Sequence, residues 1–153
     1  MATRARKPGA GWPVVAGLAA LAVVAQLYGV YRVTGPPSPP WFRNADKVEH
    51  AVGFALPVAL VLVAAGLRAL SRGCRPTERT RTVVVAVFAA HGVVSELVQH
   101  IFYTTRSGDP LDVLADWSGT ALGAVVGWAV LRPASAAPAP ESASPGRAPS
   151  GAR

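Results

Sequence analysis

Residues 46–67 read DKVEHAVGFALPVALVLVAAGL. A charged opening, Asp46, Lys47, Glu49 and His50, gives way to an uncharged run over 51–67. Residues 58–67 are apolar on every side of a helix, whereas a helix on the surface of a soluble bundle carries an apolar stripe of period about 3.6. Twenty residues at about 1.5 Å each cover the roughly 30 Å of hydrocarbon in a bilayer. The stretch is a membrane-spanning helix with a charged mouth. Working outward, three more apolar segments of the same length follow, at 11–31, 82–101 and 112–131.

The composition agrees. Of 153 residues, 51% are hydrophobic and 15% charged, where a soluble domain carries charge on about a quarter of its residues. An ordinary soluble enzyme and a disordered chain are both excluded. The net charge of +7 sits in the connectors between apolar runs, not on one amphipathic face. It suits anionic lipid headgroups and gives no reason to expect nucleic acid. Cys74 is the only cysteine, so the chain has no internal disulfide and no cysteine-built metal site.

The expected fold is all-α: a polytopic membrane protein with a four-transmembrane-helix bundle and a disordered C-terminal tail. Residues 1–10 form an N-terminal arm, 11–132 the membrane domain, and 133–153 the tail of Ala, Pro, Ser and Gly. Segment 11–31 exceeds the 7–15 apolar residues, roughly, of a signal-peptide core. Eleven Lys and Arg residues fall in the arm, the second connector and the tail; four (Arg32, Arg43, Lys47, Arg106) fall in the other two connectors. The asymmetry puts both termini in the cytoplasm of a multi-pass cell-membrane protein. Pro57 interrupts the second helix and is expected to kink it.

Ionisable residues inside membrane segments are costly and mark function. Here they collect at one membrane face. Asp46, Lys47 and His50 open the second helix; Glu96 and Gln99 close the third; Arg106 lies in the third connector; Asp112 and Asp116 open the fourth. Spacings of three and four residues put Asp46 with His50, Glu96 with Gln99, and Asp112 with Asp116 on shared helix faces. These eight residues are expected to form one polar pocket facing outward. His91, in mid-helix, is expected to be neutral and hydrogen-bonded to a neighbouring helix. His50, Glu96, Asp112 and Asp116 offer nitrogen and oxygen donors for a divalent ion. No spaced metal motif accompanies them, and no metal or other cofactor is expected. Gly119, Gly123 and Gly127 recur every fourth residue, a ridge for close helix packing. Packing within the monomer is favoured; a homo-oligomer seam is the alternative.

Asp46-Lys47-Val48-Glu49-His50 followed by Phe54 resembles the start of VanZ-like proteins. Ser95-Glu96-Leu97-Val98-Gln99 resembles that family's ExxQ element, and Arg106 followed by residues 112–119, DVLADWSG, its R…DxxxNxxG element. Asp116 stands where the family typically has Asn. The resemblance implies a membrane protein of the bacterial cell envelope, in a family named for resistance to the glycopeptide teicoplanin; it implies no reaction. The expected function is binding of an envelope component, with membrane lipids and a lipid-linked or cell-wall component as partners. The alternative is a membrane-embedded enzyme using acid–base or metal chemistry on such a substrate. A transporter is disfavoured, because the polar groups occupy one end and leave no continuous path.

Overall fold

The computed structural model describes residues 9–33, 44–104 and 108–135. Four helices follow in order: α1 Trp12–Tyr31, α2 Ala45–Ser71, α3 Glu78–Phe102 and α4 Pro110–Ser135. All four are long and apolar enough to cross a membrane. The proline-rich connector, Arg106, the N-terminal arm through residue 8 and the tail beyond residue 135 lie outside the described residues.

Helices α2, α3 and α4 are longer than the apolar runs inside them, because polar residues extend each one past the hydrocarbon. Thr77 caps α3, its hydroxyl oxygen accepting from the Thr80 amide at 3.3 Å. Glu78 in the first turn complements the helix dipole. At α4, Pro110 supplies a fixed φ, and the Asp109 carboxylate accepts from the Leu111 amide at 2.8 Å. Pro57 lies inside α2, and the helix continues through it to Ser71.

α2 is the centre of the bundle. It packs against α1 on one side, most extensively against α4 on another, and also against α3. The α2–α4 seam is made by small residues. A Cβ at Gly119 would collide with the Ala51 carbonyl; one at Gly123 would meet the Ala55 carbonyl and Val58; one at Gly127 would lie 3.1 Å from Leu62. The glycine ridge thus seats α4 on α2 within the monomer. Phe54 and Val58 are fully enclosed, and Phe54 meets Phe88 edge-on at 6.3 Å.

Burial is inverted relative to a soluble bundle. Val14, Leu21, Val24, Leu97 and Val125 are exposed, while Gln26, Ser95, Glu96, Gln99, Asp116 and Thr120 are buried. In water so much exposed aliphatic surface would drive aggregation; against lipid tails it carries no penalty.

The chain runs up and down, so the starts of α1 and α3 share an end with the finishes of α2 and α4. At that end Arg68 lies over the Trp12 ring at 5.3 Å, and Arg132 over Trp128 at 3.7 Å. A cavity of about 530 Å³ there is rimmed by Arg72, Arg75, Arg81 and Arg132. The described charged residues of the predicted pocket lie at the opposite end.

Candidate functional site

Three helices and one connector build the site. Lys47, in the first turn of α2, reaches across to the start of α4. Its ammonium stands 3.0 Å from Asp46, 2.5 Å from Asp109 and 2.6 Å from Asp112. One cation therefore ties α2 to the connector and to α4. Lys47 beside Asp109 holds that carboxyl below its ordinary value, with the Leu111 amide helping.

One turn deeper, His50 Nδ1 lies 2.9 Å from Asp116 Oδ1, and its Nε2 lies 3.9 Å from Asp112 Oδ2. From α3, Glu96 Oε2 accepts the Asp109 amide at 3.0 Å, and Gln99 Nε2 donates to Glu96 Oε1 at 3.5 Å. Gln99 also donates to the Val30 carbonyl at 3.3 Å, tying the site to α1. Access falls steadily inward: the side chains of Asp46, Asp109, Asp112 and Asp116 are 54%, 38%, 13% and 0% exposed. The site is a shaft whose rim is exposed and whose floor is buried.

Seven of the eight predicted pocket residues, Asp46, Lys47, His50, Glu96, Gln99, Asp112 and Asp116, come together in this way. Arg106, the eighth, lies outside the described residues. The connecting role of Asp109 was not legible as such, although an Asp before a Pro at a helix start is a recognisable cap signature. Its carboxylate accepts from Lys47 and Leu111, and its amide binds Glu96. A second missed group is Gln26 of α1, whose Nε2 lies 3.3 Å from His91 Nδ1. His91 is thus hydrogen-bonded across to a neighbouring helix and stacked near Phe54, at 5.5 Å.

Among the described residues, several buried polar atoms have no hydrogen-bond partner: Asp116 Oδ2, Thr120 Oγ1, His91 Nε2 and Asp112 Oδ1. For Asp112 the ion pair with Lys47 compensates. Asp116 and Thr120 are four residues apart on α4, so their atoms share one face. One donor atom each from His50, Glu96 and Asp116 lie within 4.8 Å of one another, a grouping able to hold a metal ion.

A groove of about 420 Å³ between α1 and α2 reaches the site from the side. Gln26, Gly29, Phe54 and Pro57 line it, and His50 and Glu49 stand at its polar end. His50 thus lines this groove and also faces Asp112 and Asp116.

No family model, curated protein or solved structure matches the chain.

Proposed function

We propose that the chain is a VanZ-like integral membrane protein of the bacterial cell envelope, and that its polar site faces outward and receives a lipid-linked or cell-wall component. The observation that carries this reading is the lateral groove that ends at His50. An amphiphile lying in the membrane can rest its chain against Val52 and Leu56, the exposed apolar residues of the groove, and bring its polar group to His50. A fully water-borne ligand would have no use for the side opening. The carboxylate-rich floor favours groups that donate hydrogen bonds, such as the amines and hydroxyls of peptidoglycan precursors. The arginine-rimmed opposite end supports cytoplasmic termini, since basic residues are retained on that side.

The test is a deletion strain complemented with the wild-type chain, Glu96→Gln or His50→Gln. The wild type is expected to restore the teicoplanin minimum inhibitory concentration and the lipid-linked precursor profile. The variants are expected to reach the membrane at normal levels and fail to restore either. Full complementation by both variants would remove the site from the function.

A second reading is a membrane-embedded enzyme. The 2.9 Å contact between His50 and Asp116 favours it, because a carboxylate that orients an imidazole is the arrangement of a general base. It is separated from simple binding by incubating purified protein with lipid-linked precursor: an enzyme releases a changed product, a binding protein releases the precursor unchanged.

A further inference from the structure

We propose that His50, Glu96 and Asp116 form a binding site for a divalent cation of the Mn²⁺ or Zn²⁺ class. The proposal rests on reading this cluster as a ligand site, but not on the envelope component it serves.

Two independent observations point to it. The first is geometric. Three helices each contribute one residue, and the three donor atoms lie within 4.8 Å of one another. Around one ion with bonds of about 2.1 Å, ligand atoms stand about 3 to 4.2 Å apart. The widest pair therefore needs to close by well under about 1 Å. His50 and Asp116 already meet this spacing at 2.9 Å.

The second is the orphaned oxygen of Asp116. The residue is wholly buried, and its Oδ2 has no hydrogen-bond partner. That oxygen faces Gly92 of α3: a Cβ there would approach it to 3.1 Å, so the glycine keeps the space beside the carboxylate open. Glu96 lies one turn further along α3, also buried. A carboxylate enclosed without compensation is among the costliest things a fold can contain. Among the described residues, Lys47 is the lysine or arginine paired with carboxylates of the cluster, and it is engaged by Asp46, Asp109 and Asp112. Neither Glu96 nor Asp116 has a lysine or arginine partner among those residues. A divalent ion between them supplies the missing charge.

The donor set selects the ion. One imidazole with two carboxylates is softer than the all-oxygen cages that suit Mg²⁺ and Ca²⁺, and harder than a thiolate site. Of the three ligands, His50 also lines the lateral groove.

The experiment uses the full chain, purified in detergent, stripped with a chelator and retitrated with MnCl₂ or ZnCl₂ at pH 7.5. The expected result is one equivalent bound and a raised melting temperature. Asp116→Asn and His50→Ala are expected to weaken binding at least about tenfold, while Asp46→Asn at the exposed rim leaves it unchanged. Asp116→Asn without metal is expected to melt no lower than the stripped wild type, because a buried charge has gone. Should a variant not fold, wild-type protein loaded with Mn²⁺ decides: electron spin-echo spectra are expected to show coupling to an imidazole nitrogen. Wild-type binding below one-tenth equivalent, binding untouched by Asp116→Asn, or Mn²⁺ spectra without nitrogen coupling would each overturn the site. These readouts need no envelope phenotype. Purified wild type that binds no metal while its gene complements the deletion strain would sink the ion alone; wild type that binds metal but does not complement would sink the envelope reading alone.

Discussion

His50 Nδ1 lies 2.9 Å from Asp116 Oδ1, across 66 positions of sequence, and joins the second turns of α2 and α4 inside the bundle. The pair can form only because α4 approaches α2 closely enough for a short side chain to span the gap. The glycine ridge one to three turns further along α4 makes that approach possible. Packing and chemistry are thus coupled through the same seam.

The seam should respond in a graded way. Gly119→Ala and Gly123→Ala place a Cβ against the carbonyls of Ala51 and Ala55, and Gly127→Ala meets Leu62 Cβ and the Ala59 carbonyl at the wider 3.1 and 3.2 Å. Gly119→Ala and Gly123→Ala are expected to cost about 1–3 kcal/mol each, as overpacking does, and Gly127→Ala less. Gly17→Ala on α1 meets nothing within 4 Å and is expected to be neutral or stabilising. Thermal unfolding in detergent gives the order; equal melting temperatures for all four would show that the ridge faces lipid.

Lys47 is expected to matter more than any single acid at the rim. Lys47→Met leaves Asp112, 13% exposed, without its cation, and an unsatisfied buried group costs about 1–3 kcal/mol. Asp46→Asn removes an exposed partner and is expected to cost under about 1 kcal/mol. A chemical-denaturation series comparing the two variants checks the ranking, and a larger loss for Asp46→Asn would reverse it.

Acid sensitivity follows from Asp109. Its carboxyl is held below its ordinary value by Lys47, so the folded state binds that proton less readily than the unfolded chain does. The stabilisation is fully present above the unfolded value of about 4 and is lost as pH falls through the lower folded value. Wild-type melting temperature is therefore expected to drop below about pH 4 more steeply than that of Asp109→Asn. Parallel curves from pH 3 to 7 would show that the ion pair contributes nothing.

Orientation is open to a labelling test. Cys74, in the α2–α3 connector, is exposed, and cytoplasmic termini predict that it resists a membrane-impermeant maleimide in intact cells. A cysteine introduced at Ser38 in a Cys74→Ser background is expected to react. The opposite pattern would turn the polar shaft to the cytoplasm.

Much of this protein is decided by local properties of the chain. Apolar runs the length of a bilayer determine four helices, because a chain in lipid must satisfy its backbone hydrogen bonds within each segment. The spacing of Asp112 with Asp116, and of Glu96 with Gln99, likewise follows from helix geometry alone. Helix ends were less legible: polar residues such as Asp46 and Glu78 carry α2 and α3 beyond the apolar windows. What only the tertiary structure decides is which faces meet. Sequence places His50, Glu96 and Asp116 at one end of three helices, but a helix can rotate about its axis without changing its own hydrogen bonds. The fit of Gly119 and Gly123 against the backbone of α2 sets that rotation. It turns Asp116 inward onto His50, leaves its second oxygen beside Gly92, and leaves Val125, on the same helix, to face lipid.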